Sequence, residues 1–112
     1  MAKWKVEATY LGETFQFTLK DEVWWLWLLN GVGGITLSKR TVRLKRKIGD
    51  ALRRNPDIIG HEAVHVHQAR ELGWKYLFVY FGQAIKAGFK KNKIEMEYDA
   101  YNDERNVEWK LI

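Results

Sequence analysis

Asn55-Pro56-Asp57 opens a helix and Gly73 stops one, and the stretch between them, residues 57–72, constrains everything else the chain can do. Proline fits the first turn because it lacks the backbone donor that would go unused there, and glycine tolerates the geometry that ends a helix. On a helical wheel Ile58, Ala69 and Leu72 share a side with His61 and His65. Two imidazoles that turn the same way as apolar side chains point into a core, where each unsatisfied polar group costs ~1–3 kcal/mol. The fold must bring partners to them.

A chain of 112 residues holds one domain, 1–112, since half of it could not bury a core of its own. With 46% hydrophobic residues and six Trp there is enough apolar material for a stable core. The absence of Cys excludes disulfides and thiolate ligands, so any metal site must be built from His, Asp and Glu.

Around the helix the pattern predicts an α+β fold, a small antiparallel or mixed sheet packed on three to four helices. Residues 4–10 and 14–19 alternate in part on either side of Gly12 and read as a hairpin. Val23 to Leu29, rich in Trp and Leu, reads as a short buried helix ending at Asn30-Gly31. Residues 35–45 are β-branched at first and then alternate apolar with basic, which predicts one strand with its cations on an exposed sheet edge. Residues 74–89 form a second helix that walls the core, Lys90-Lys91-Asn92 break it, and a third helix runs from Ile94 to Trp109.

His61-Glu62-Ala63-Val64-His65 is a His-Glu-x-x-His motif on the best-defined helix. Residues four apart share a helical face, so both imidazoles can reach one ion. Glu62 is offset by about 100° and can face a water held by that ion as a general base without becoming a ligand. His67 is rotated roughly 200° from His65 and is excluded as a ligand. Gln68 falls close to His61 on the wheel and can orient a ligand or the water. A catalytic zinc site needs a third protein ligand. Glu97 is the better candidate, since Ala100 and Tyr101 flank it and a small residue there lets its helix approach closely; Glu95, on a different face, is the competitor.

The chain resembles the minimal gluzincin-like zinc metallopeptidases, short proteins of bacteria and their phages among them. The likeness rests on Gly33-Gly34-Ile35-Thr36-Leu37, on His61 to Gly73 with its Gln68 and its Arg70-Glu71-Leu72-Gly73 ending, and on Glu97-Tyr98-Asp99-Ala100-Tyr101. It spans about residues 31–104 and leaves the N-terminal third uncovered. The resemblance implies a zincin-like minimal core, His61, His65 and Glu97 as ligands of Zn2+, Glu62 as base, and a peptide or protein substrate. One position departs from the pattern: larger gluzincins carry an aspartate four residues after the ligand glutamate, supporting a zinc-bound histidine, where this chain has Tyr101, and Asp99 is on the wrong face to replace it.

In the mechanism these readings predict, a peptide lies antiparallel to the strand that begins Ile35-Thr36-Leu37, adding itself to the sheet edge. Glu62 takes the water proton and returns it to the leaving amine, and the oxyanion donor is Tyr101, Tyr98 or Tyr80. A rival reading is a non-catalytic binding module with a structural or vestigial metal site. Lys39, Arg40, Arg43, Lys45, Arg46, Lys47, Arg53 and Arg54 form a basic stripe in a chain of net charge +5, able to engage nucleic acid or a virion component. A third places the Trp24 to Trp27 cluster at a membrane interface, since that run is too short to span a bilayer. Met1-Ala2-Lys3-Trp4 begins no apolar signal core, which favours a cytoplasmic or virion-associated protein over a secreted one.

Overall fold

The protein was analysed as a computed structural model, which describes residues 2–28, 33–86 and 95–112. Period-two alternation sets the first hairpin, β1 (Lys3–Tyr10) and β2 (Glu13–Lys20). Val6, Ala8 and Tyr10 of β1 and Phe15, Phe17 and Leu19 of β2 are all buried on one face. Leu11 and Gly12 join the strands with positive φ of 51° and 79°, the handedness that matches strand twist in a two-residue turn. Residues 35–44, expected as one strand, divide into β3 (Gly34–Thr36) and β4 (Thr41–Leu44), which pair antiparallel across a turn at 37–40. Arg43 therefore lies on an inner strand and does not mark an edge: β4 pairs with β3 on one side and, in parallel, with β2 on the other.

The sheet is mixed, in the order β3-β4-β2-β1-β5, and its last strand, β5 (Glu108–Leu111), pairs antiparallel with β1. The third helix thus ends earlier than Trp109. It is α4 (Glu95–Asp103), followed by a 3-10 turn at Glu104–Asn106. From Val107 on, the chain alternates apolar with charged residues, and the free edge of β1 gives that alternation a place to pair. The basic stripe contains an element the sequence pattern did not reveal, α1 (Ile48–Arg54). The buried carboxylate of Asp21 fastens its start by accepting from Ile48 N at 3.1 Å and from Ala2 N at 2.8 Å. Arg46 and Arg54 both lie 3.7 Å from Asp50, and Lys47 3.7 Å from Glu22, so part of the stripe is ion-paired.

α2 (Ile58–Leu72) closely matches the expected helix and crosses the concave interior. Ile59, Ala63, Val64 and Val66 join Val6, Phe17, Leu19, Val42 and Leu44 in the main core. α3 (Tyr76–Lys86) follows a 3-10 turn at Gly73–Lys75 and packs Tyr76, with Ala69 and Met96, into a smaller core. The Trp-rich run is a 3-10 turn, Trp24–Leu28, that buries Leu26 and leaves Trp24, Trp27 and Leu28 outside, so it is not the buried helix its hydrophobicity suggested. The expected stop at Asn30-Gly31 and the break at Lys90 to Asn92 lie outside the described residues.

Two glycines are fixed by close approach. A Cβ on Gly34 would meet Leu44 Cδ2 at 3.0 Å and the Glu62 carboxyl carbon at 3.7 Å. A Cβ on Gly60 would run into the carbonyl oxygen of Glu104, where the turn after α4 crosses α2. Gly60→Ala is expected to cost about 1–3 kcal/mol in chemical denaturation, by overpacking. Gly82→Ala, where a Cβ meets nothing within 4 Å, is expected to gain about 0.5–1 kcal/mol from helix propensity. Equal effects of the two substitutions would contradict this packing.

Candidate metal centre

α2 is buried on nearly every side, which places His61, Glu62 and His65 at 8%, 4% and 3% exposure. A buried polar triplet requires partners, and α4 supplies the first of them. Its Ala100 is fully buried, letting the helix close on α2 and present Glu97, itself 6% exposed. Glu97 Oε1 lies 2.9 Å from His61 Nε2 and 2.6 Å from His65 Nε2. Three donor atoms from two helices therefore converge on one point, and the two imidazoles stand nearly edge to face with centroids 5.0 Å apart. Glu95, the competitor, has its side chain outside the described residues.

The donor atoms fit a divalent cation. Two imidazole nitrogens and a carboxylate oxygen form a ligand set suited to zinc, and each imidazole has its other nitrogen turned to a separate acceptor. His65 Nδ1 lies 2.8 Å from Gln68 Oε1, and the amide of Gln68 is oriented because its nitrogen donates to the Met96 carbonyl at 3.1 Å. Gln68 thus serves His65, whereas the wheel had set it nearer His61. His61 Nδ1 faces Glu104 Oε2 at 3.3 Å, and both atoms are buried without another hydrogen-bond partner. A carboxylate thus faces the second nitrogen of His61, carried not by position 101 but by the turn following α4. Its signal in the sequence was spacing, since Glu104 comes seven residues after Glu97 and two helical turns return to the same face.

Tyr101 packs its ring against His61, centroids 4.5 Å apart. Tyr80 was named only as an oxyanion donor, but its hydroxyl donates to Glu97 Oε2 at 2.6 Å, which fixes the carboxylate so that Oε1 faces the histidines. Tyr98 has its side chain outside the described residues. Glu62 lies beside the convergence point, with Thr36 Oγ1 donating to its Oε2 at 3.2 Å. Ile35 and Thr36 are on β3, the end strand of the sheet, and Leu37 just beyond it; all three line a cleft that Glu62, His65, Tyr80 and Glu97 also line. The Thr36 carbonyl accepts from Tyr76 Oη at 3.1 Å, which leaves its second lone pair for a guest strand. A second cavity, which shares Gly34, Glu62 and Glu97 with this cleft, is lined by His61, Tyr101, Arg46 and Arg54. His67 faces away, as expected, between Glu13 and Glu71 at 3.4 and 3.5 Å.

Burial pushes the Glu62 carboxyl above its usual range, against the opposing pull of both histidines. Burial also works against a charged His65 and a charged Glu97, but here their contacts win. The hydrogen bond to Glu97 and the charges of Glu97 and Glu62 raise His65, while hydrogen bonds from His61 and His65 hold Glu97 far below the usual carboxylate range.

No known family model matches the chain, and neither a curated protein nor a solved structure matches it. The reading of this centre therefore rests on its chemistry.

Two outcomes follow. Because its contacts with Glu97 and Glu62 raise the proton affinity of His65, a metal ion bound at Nε2 competes with a proton there, and affinity should fall as pH is lowered. Calorimetric binding enthalpies should accordingly change with the ionisation enthalpy of the buffer, and buffer-independent enthalpies would contradict the assignment. Separately, Glu104→Gln and Tyr80→Phe should each weaken zinc about 10–100-fold in competition with a chelating dye, because each loosens a ligand that the metal needs held in place.

Proposed function

We propose that the chain is a zinc-dependent peptidase of zincin-like architecture, with His61, His65 and Glu97 as ligands and Glu62 as the general base. The observation that carries this reading is the convergence of His61 Nε2, His65 Nε2 and Glu97 Oε1 beside a buried glutamate, inside a cleft under an end strand. A site that only stabilised the fold would have no need of Glu62, which joins no ligand set and lies open to the cleft.

When bound, zinc would supply Lewis acidity and lower the pKa of water. The remaining chemistry is done by side chains. Thr36 Oγ1 holds one oxygen of Glu62, leaving the other to accept a proton from the attacking water. As that water adds to the scissile carbonyl carbon, Glu62 passes the proton to the amide nitrogen and the C–N bond breaks. The raised pKa of Glu62 suits it to both transfers, because a base with a more ordinary carboxylate pKa would return the proton less readily. Tyr101 stands half exposed at the mouth and keeps its phenolic proton, since burial and the nearby Glu97 both raise its pKa. We assign it as the donor to the carbonyl oxygen because its ring packs against His61, while Tyr80 is committed to Glu97 and Tyr76 to Thr36. The substrate would lie along β3, the end strand that lines the cleft together with Glu62.

Elemental analysis of untagged protein is expected to find about one zinc per chain, sharply reduced in Glu97→Ala. Glu62→Gln should retain the metal and lose peptide cleavage by about 100-fold or more, followed by mass spectrometry of a peptide library. Cleavage undiminished in Glu62→Gln, or no zinc in the wild-type protein after reconstitution, would refute the proposal.

A further inference from the structure

α3 carries more apolar surface than its own packing uses. Tyr76, Leu77 and Tyr80 face inward, toward Ala69, Met96 and the metal centre. Trp74, in the turn that leads into the helix, and Phe78, Phe81 and Ile85 within it recur at steps of four, three and four residues, the spacing of one helical face. They are 78%, 73%, 54% and 68% exposed, so this face is apolar and uncovered among the described residues. Lys75 and Lys86 stand at its two ends, and the sequence from Trp74 to Lys86 contains no Asp or Glu. Aromatic side chains on an exposed helix, bounded by lysines and free of carboxylates, match the chemistry of an anionic bilayer surface, where rings enter the headgroup region and ammonium groups pair with phosphates.

A second copy of the chain fits this face less well. Four such side chains expose roughly 400–650 Å², short of the ~800 Å² per partner of a stable interface. A bilayer needs no matching surface of fixed shape. A second exposed apolar group, Trp24, Trp27 and Leu28, has Arg46 and Lys45 placed 4.7 and 5.1 Å over the Trp27 ring but also has Glu22 and Asp50 beside it, so the outer face of α3 suits an anionic surface better. Each group borders the site, since Phe81 lines the cleft and Arg46 lines the second cavity that shares Glu62 and Glu97 with it. No described helix is long and apolar enough to cross a membrane, so the contact is peripheral.

We propose that the outer face of α3, built from Trp74, Phe78, Phe81 and Ile85 between Lys75 and Lys86, docks this protein onto anionic lipid bilayers. The inference does not depend on the peptidase reading, and its test needs no activity.

The full chain is sedimented with vesicles of phosphatidylserine and phosphatidylcholine, and with vesicles of phosphatidylcholine alone. Binding to the anionic vesicles is expected, weakening as salt is raised and at least about tenfold weaker in Trp74→Ser/Phe78→Ser, with little binding to the neutral ones. Both substituted residues lie on the surface, and thermal denaturation of the variant checks that it folds. Absence of wild-type binding would overturn the proposal, as would binding that the substitutions leave unchanged. So would a dimer in analytical ultracentrifugation that the same substitutions dissolve, since the occupant would then be a second copy.

Discussion

Burying α2 on nearly every side is the constraint that the rest of the molecule answers. A helix of alanine, valine and isoleucine could lie there at no polar cost, but this one takes two histidines and a glutamate out of water with it. Each carries groups that burial penalises unless something meets them. α4 brings Glu97 to both imidazoles, Gln68 serves one outer nitrogen and Glu104 faces the other, and Thr36 on β3 reaches Glu62. The helices and the short end strand are arranged around satisfying that triplet.

This arrangement also explains why the glycines fall where they do. Gly60 sits immediately before His61 and is the place where the backbone of Glu104 crosses α2. Any side chain there would lift the turn and carry the Glu104 carboxylate away from His61. Gly34 plays the same part for the strand, letting β3 close on Glu62. Packing and chemistry meet at single residues, as expected when a polar site is built inside a close-packed core.

Much of the centre could be read from the sequence because helical spacing is a local property. A spacing of four from His61 to His65, and an alanine three residues after Glu97, suffice to place side chains on faces without knowing what those faces meet. What stayed hidden was set by long-range contact. Residues 35–44 read as one strand because β propensity says nothing of a turn at 37–40, and basic alternation resembled an edge although β4 is paired on both sides. The C-terminal segment read as helix up to Trp109 because only the open edge of β1, about a hundred residues away in the chain, makes a strand of it. Glu104 lies two helical turns beyond Glu97, outside the single turn over which side-chain spacing is most easily read. The Trp-rich run shows the opposite failure, in which hydrophobicity suggested burial and the fold left most of it outside.

The order in which the chain closes has its own consequence. β5, formed by residues near the C-terminus, completes the sheet against β1, the first strand, and Glu97 and Glu104 belong to the same final stretch. During synthesis the histidines and Glu62 emerge well before the carboxylate that gathers them. A chain made only as far as α3 therefore holds the inner strands and both histidines without the carboxylate that joins them, so the strand that closes the sheet and the residue that closes the cluster arrive together.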